Sequence, residues 1–283
     1  MKKDFFLGRY KKLGGDVDES VIVPRALRIN TLKISEEDLL KRLKNNNITL
    51  ERIPYLKHGF KYTSSFSLGS TPEYLQGLYY LQEAASQIPA EVLDPKETDL
   101  VLDMCAAPGS KTTQMAQLMN NKGTLIAVDS NVKRLESLNN NLERMGITNV
   151  TTFLMNAKDA PTLKMRFDKI LLDAPCSGNY CIEENWFDKR DLAGIKINSD
   201  KQKALLDRAF ELLHPGGILV YSTCSLEPEE DEQAVDYADA LGFELIDTGL
   251  KIGSPVKGKA MKLWPHLTNT QGFFIAKFRK PNY

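Results

Sequence analysis

No stretch of this 283-residue sequence approaches the roughly 20 consecutive apolar residues that a membrane-spanning helix requires. The opening residues, MKKDFFLGRYKK, lack the apolar core of a secretory signal, so a cytoplasmic protein is expected. Cysteine is scarce: four residues (Cys105, Cys176, Cys181, Cys224), none in a Cys-x-x-Cys pair. A disulfide scaffold does not follow from so few, a structural zinc site lacks its ligand spacing, and no metal is expected. The three histidines (His58, His214, His266) show no ligand spacing either. Net charge is absent, with 37 basic residues against 37 acidic. The balance hides a segregation. Residues 1–61 hold 14 basic and 8 acidic residues, and residues 251–283 hold 7 basic and no acidic ones. Basic ends around an acidic middle hint at a polyanionic partner, although ordinary solvated surface accounts for them equally well.

From about residue 99 the chain alternates short, almost wholly apolar runs with helical segments. The runs are 99–105, 124–129, 150–156, 169–175 and 216–225, followed by 243–247 and 272–278. Runs this apolar suit strands buried on both faces. The helix candidates are 110–121, 130–145, 199–213 and 229–241, and glycines follow the first two. Repeated β-α units predict an α/β protein with a helix-covered parallel sheet. Residues 1–62 differ: a basic strand-helix-strand stretch in which Ser35 can cap the helix. The expected division is a small N-terminal module over 1–70 and a main domain over 71–283, which opens with a helical connector (71–93).

The stretch LDMCAAPGSKTTQM (102–115) follows the first of these runs and leads into a helix. Glycine is what it lacks. A P-loop needs glycine at the positions of Ser110 and Cys105, and the dinucleotide fingerprint needs three glycines where only Gly109 stands. What remains is a strand ending in Asp103, then Cys105, Ala106, Ala107, Pro108, Gly109, Ser110 and Lys111. Small residues let a ligand lie against the backbone. Asp129 ends the next strand, where it can accept both hydroxyls of a ribose or cap the following helix. A ribose acid without a pyrophosphate loop points to a nucleoside without phosphates, and S-adenosylmethionine is the obvious candidate.

Two further strand ends carry cysteines: LLDAPCSGN (171–179) and YSTCSLEPEE (221–230). On an open α/β sheet both face the ligand crevice. A buried cysteine is usually a small hydrophobe, but two at the functional edge beside small polar residues favour reactivity. Carbon 5 of a pyrimidine is too weak a nucleophile to take a methyl group directly. A thiolate added at C6 turns the ring into an enamine-like species that can. Asp173 is placed to serve as the acid near N3. An amino-methyltransferase would be expected to put an aromatic residue after Asp-Ala-Pro, where this chain has Cys176. The residues alone leave open which cysteine attacks.

DMCAAPGSKT, DAPCSGN and YSTCSLEPEE closely resemble the signature motifs of the RsmB/Nop2/Sun family of RNA cytosine-5 methyltransferases. LRINTLK (27–33), YYLQEAAS (79–86) and GFFIAKFRK (272–280) resemble further family elements. The resemblance implies a Rossmann-like sheet of seven strands, the last antiparallel, after a module similar to an RNA-recognition motif. It makes Cys224 the nucleophile and gives Cys176 the task of proton removal and product release, with the reverse as the alternative. Residues 105–111 then cradle the donor, Asp129 its ribose, and Asp173 with Lys111 the base beside the donor. The chain departs from the pattern at Ser110, where the family has glycine, at Gln271, and at Lys158, where it has the acid that meets adenine. A one-residue bulge would bring Asp159 to that place. Arg28 and Asn30 are expected either to contact RNA or to support their strand. The acidic run 227–232 is expected to serve the helix dipole. RNA is the implied partner, tRNA before rRNA because compact members act on tRNA, and a monomer is expected. Rival readings are a non-catalytic RNA-binding factor and a small-molecule methyltransferase.

Overall fold

The computed structural model describes residues 2–17 and 19–282. An N-terminal helix, α1 (Lys2–Lys12), precedes a four-stranded antiparallel module. The module contains β1 (Ala26–Ile29), α2 (Glu36–Asn45), β2 (Thr49–Arg52), β3 (Gly59–Thr63), the short α3 (Pro72–Leu75) and β4 (Tyr79–Leu81), in strand order β2-β3-β1-β4. Ser35 caps α2 by accepting the Asp38 amide, and Leu39 and Leu43 bury the inner face of the helix. The fourth strand falls where a helical connector was expected. Neighbouring strand side chains point to opposite faces, and here both faces are covered: Tyr79 enters the module core while Tyr80 lies under Arg28 on the other side.

The main domain runs α4 (Ala84–Leu93), β5 (Leu100–Asp103), α5 (Ser110–Leu118), β6 (Thr124–Asp129), α6 (Val132–Met145), β7 (Val150–Leu154) and β8 (Phe167–Asp173). It continues with α7 (Trp186–Lys189), α8 (Leu192–Leu212), β9 (Leu213–Thr223), α9 (Glu232–Ala240), β10 (Glu244–Ile246), β11 (Ser254–Val256), β12 (Ala260–Leu263), α10 (Pro265–Thr268) and β13 (Phe273–Arg279). Strands β7, β6, β5, β8 and β9 are parallel neighbours in that order, and β13 is antiparallel beside β9. The sheet has nine strands rather than the expected seven. The outer edge of β13 is shared: β10 pairs with its C-terminal end, and the β11–β12 hairpin with its start.

The apolar runs are explained by two-sided burial. In β5, β6, β8 and β9, Leu102, Ile126, Ile170 and Leu219 join one core, while Val101, Leu125, Leu171 and Val220 join the other. Helices α8 and α9 contribute to the first core, and α4, α5 and α6 to the second. The central residues of such a strand are therefore apolar on both faces, where a one-sided strand would alternate.

Three sequence readings are narrowed or extended at this level. Arg28 and Asn30 do not reach solvent; they are 1% and 0% exposed. The face of β1 that carries Arg28 is pressed against α5, so neither residue contacts RNA from that strand. The acidic run does more than serve a dipole: Glu227, Glu230 and Asp231 are fully buried, each with hydrogen-bonding partners. Helix α1 does not join the N-terminal sheet at all. Its Phe6 and Tyr10 pack with Trp186, Phe187, Leu226 and Trp264 of the main domain. The Tyr10 hydroxyl donates to Glu227 at 2.6 Å, and Arg9 pairs with Glu227 at 3.0 Å.

Candidate active site

The loops leaving β5, β6, β8 and β9 surround a cavity of about 470 Å³. Cys105, Ala107, Asp129, Asp173, Cys176 and Cys224 all line it, so the sequence motifs converge on one place. Ala106, Pro108, Gly109 and Ser110 do not face the cavity; they shape the loop that does. The Ala106 amide donates to the Val128 carbonyl at 3.0 Å, and Ala107–Pro108 is a cis bond. Gly109 takes φ +104°, and a Cβ there would stand 2.7 Å from Leu138. Only glycine lets the loop turn this tightly against α6. Beneath it, Asp103 accepts the Thr112 hydroxyl at 2.7 Å, and burial pushes its pKa up to about 7.

Asp129 does not cap α6, whose N-cap is Asn131; it lines the cavity instead. Its carboxylate accepts the Ala107 amide at 3.3 Å and the Asn131 amide at 3.0 Å, fastening two loops while it faces the cavity. Asp159 is placed differently from the expectation. No bulge forms. Asn156 caps a 3-10 turn over Ala157–Leu163, the Asp159 amide bonds back to the Asn156 carbonyl at 2.8 Å, and Asp159 is exposed outside the cavity wall. Asn156, Ala157 and Lys158 form that part of the rim instead. Arg134 on α6 and Lys201 and Leu205 on α8 also line the cavity. Sequence reasoning missed them because nothing in a helix's own residues says which turn meets a distant loop.

Lys111, 7% exposed, donates to Asp173 at 2.6 Å and to the Ser86 hydroxyl at 3.0 Å. The Ser222 hydroxyl donates to the other Asp173 oxygen at 2.7 Å. Asp173 is thus held from both sides at the cavity wall. A further acid was missed. Glu83 caps α4, accepting the amides of Ala85, Ser86 and Gln271, and burial lifts its pKa to about 7. Its place directly before the small-residue start of a helix was the available signal.

The sulfurs of Cys176 and Cys224 lie 2.9 Å apart. Two loops that face each other hold them there. Glu230, from the Cys224 loop, accepts the Ser177 amide at 3.1 Å and the Ser177 hydroxyl at 3.1 Å. Gln202 ties the Pro175 carbonyl at 3.0 Å, and Asn179 donates to the Cys224 carbonyl at 2.8 Å. The pair is electrostatically unequal. The hydrogen bond between them, followed by burial and Glu230, holds Cys176 in its thiol form. The same hydrogen bond, with help from the Lys111 cation, pulls Cys224 below the ordinary thiol value against burial and Asp173. Of the two, Cys224 is therefore the one whose thiolate form is favoured. Cys181 lies outside the cavity wall, and burial lifts its pKa to about 11.

Residues 90–279 match the family model described as 16S rRNA methyltransferase RsmB/F, and residues 10–84 match the N-terminal domain of 16S rRNA methyltransferase RsmF. A human 28S rRNA (cytosine(4447)-C(5))-methyltransferase is 39% identical over 98% of this chain and 38% of its own length. A tRNA (cytosine(72)-C(5))-methyltransferase of Pyrococcus horikoshii is 43% identical over 76% of this chain and 55% of its own. The chain thus spans only about 38% to 55% of the length of these relatives. The solved structure of NSun6 from Pyrococcus horikoshii with SFG superposes with a TM-score of 0.86 at 31% identity, covering 92% of this chain and 91% of that one. With one family model spanning the main domain and another the N-terminal module, the chain belongs to the RsmB/F methyltransferases, the family its motifs resemble.

Proposed function

We propose that this chain transfers a methyl group from S-adenosylmethionine to C5 of a cytosine in RNA through a covalent bond between Cys224 and C6. The observation that carries the reading is the pair of sulfurs 2.9 Å apart on a cavity wall that also holds Asp173, itself paired with Lys111. An enzyme that methylates an amine or a hydroxyl has no use for two such thiols.

The cavity suits the donor. Its volume lies in the usual range for small-ligand sites. Asp129 faces it from a strand end, Ala107 offers a wall without bulk, and the cysteines sit on the same cavity wall. The bound donor supplies an electrophilic methyl group. Asp129 would hold the ribose, residues 105–107 the neighbouring backbone contacts, and Asn156 with Lys158 the rim where Asp159 was expected. Cys224, already favoured as the thiolate, adds to C6 of a flipped cytosine. As that bond forms, a proton passes from the Lys111 ammonium through the Asp173 carboxylate to N3. C5 would then take the methyl group, the donor leaving as its thioether, and the N3 proton returns through Asp173 to Lys111. Cys176 assists removal of the C5 proton, the Cys224–C6 bond breaks, and one proton leaves to solvent. Flipping the base costs a few kcal/mol, which contacts to the rest of the RNA must supply.

The main domain performs this chemistry, and the module begun within residues 1–70 completes the RNA-facing body. The substrate we carry forward is tRNA, acted on by a monomer. A reducing cytoplasm suits a site that depends on free thiols. An rRNA substrate is the second reading, favoured by the family models of 16S rRNA enzymes.

Cys224→Ala should abolish methylation, and Cys176→Ala should accumulate a protein–RNA adduct resistant to denaturation. An adduct that needs Cys176 and survives loss of Cys224 would reverse the roles. Bisulfite sequencing of total RNA with and without the gene would identify the substrate. No lost site in either RNA class would remove the proposal.

A further inference from the structure

We propose that Arg28 is a positioning residue for the donor site: through it the N-terminal module sets the shape of the 105–111 loop. This rests on the reading of that loop as a methyl-donor cradle. The guanidinium is buried in the seam between β1 and α5. One terminal nitrogen donates to the Ser110 carbonyl at 2.8 Å and to Gln82 at 2.6 Å; the other donates to the Thr113 hydroxyl at 2.9 Å; Nε donates to Gln117 at 3.2 Å.

All four acceptors are uncharged, and burial pulls the Arg28 pKa down to about 9, so a cation still sits there at neutral pH. Burying a cation against neutral partners is costly, and an apolar residue closes a purely structural seam at less expense. What an apolar residue cannot do is fix the end of the loop. Ser110 is its penultimate residue, and the next, Lys111, holds Asp173. The same network reaches Lys111 from its other side. Gln82 donates to the Ser86 carbonyl at 3.0 Å, and the Ser86 hydroxyl accepts Lys111 at 3.0 Å. A fork of donors with fixed geometry suits this task, and a lysine does not reproduce it.

The test compares two substitutions in the full chain that loosen the same seam in different places. Arg28→Lys removes the fork at the loop. Asn30→Ala removes two hydrogen bonds at 2.8 Å, to the carbonyls of Gly77 and Met145, away from the loop. Two readouts apply: calorimetric binding of S-adenosylhomocysteine, and hydrogen exchange of the 105–111 amides in unliganded protein. Arg28→Lys should weaken S-adenosylhomocysteine about tenfold, the scale of one or two charge-assisted hydrogen bonds. Loop exchange should accelerate by a similar factor, and the methylation KM for the donor should rise more than kcat falls. Asn30→Ala should lower Tm and leave binding and loop exchange at parental values.

Parental binding and exchange in Arg28→Lys overturn the proposal, as do equal changes in both variants. Should Arg28→Lys fail to fold, Thr113→Val removes one acceptor and must shift both readouts in the same direction; no shift overturns the proposal. If the parent binds no S-adenosylhomocysteine, the donor reading falls, and loop exchange alone decides whether Arg28 governs the loop.

Discussion

Glu83 receives three backbone amides, which favour its charged form, yet burial outweighs them and holds its pKa at about 7. A carboxyl group that binds its proton more tightly folded than unfolded stabilises the fold at low pH. That contribution is complete below its ordinary value near 4.5 and is lost as the pH rises to about 7. Unfolding by urea at pH 5, 6, 7 and 8 should therefore show stability falling across this window, and Glu83→Gln should flatten the fall. An unchanged profile in the variant would show that Glu83 ionises normally. The residue scale also marks what the sequence can reveal about a site. Cys176, Cys224, Asp173 and Asp129 were legible because each stands at or just beyond a strand end, and strand ends in this architecture share one crevice. Asp159 was not, because a local 3-10 turn, invisible in composition, leaves it exposed. For Arg28 the sequence left both roles open, for a different reason. A basic residue in a basic segment looks like surface until α5, over 80 residues later, packs on it.

At the scale of elements, the loop between β9 and α9 is held by a buried ion pair. Lys262 of β12 meets Asp231 at 3.0 Å and donates to the Leu226 carbonyl at 3.1 Å, while the Thr223 hydroxyl donates to Asp231 at 2.7 Å. Burial works against the charge on both, and Asp231 with Glu232 keeps the Lys262 ammonium protonated. The added β11–β12 hairpin thus reaches back to the strand end that carries Cys224. Lys262→Met would leave Asp231 without its cation and should cost about 3–5 kcal/mol, read from urea unfolding. A loss below about 1 kcal/mol, the scale of an exposed pair, would mean the network is not closed in solution. The parallel strands were legible from apolarity alone, since two-sided burial leaves no alternative pattern. The hairpin and β4 were not. Each is three or four residues long, and their pairing comes from partners distant in sequence rather than from their own residues.

At the scale of the whole molecule, the N-terminal part grips the main domain at two places. Helix α1 packs against the region after Cys224, and the β1–β4 face lies against α5 beside the donor loop. If these contacts carry folding, residues 1–84 and 85–283 expressed apart should each lack a cooperative thermal transition, and co-expression should restore one. A main-domain fragment that melts cooperatively and binds S-adenosylhomocysteine like the full chain would contradict this.

That seam has one more consequence. It is joined by hydrogen bonds that specify their partners: Arg28 on Ser110, Gln117 and Thr113, and Asn30 on Met145. A greasy joint tolerates substitution on either side, but a joint of this kind does not. The two halves are bound to be inherited as a set, and a chimaera that borrows one half from a cousin will work only if the matching amides and hydroxyls come with it.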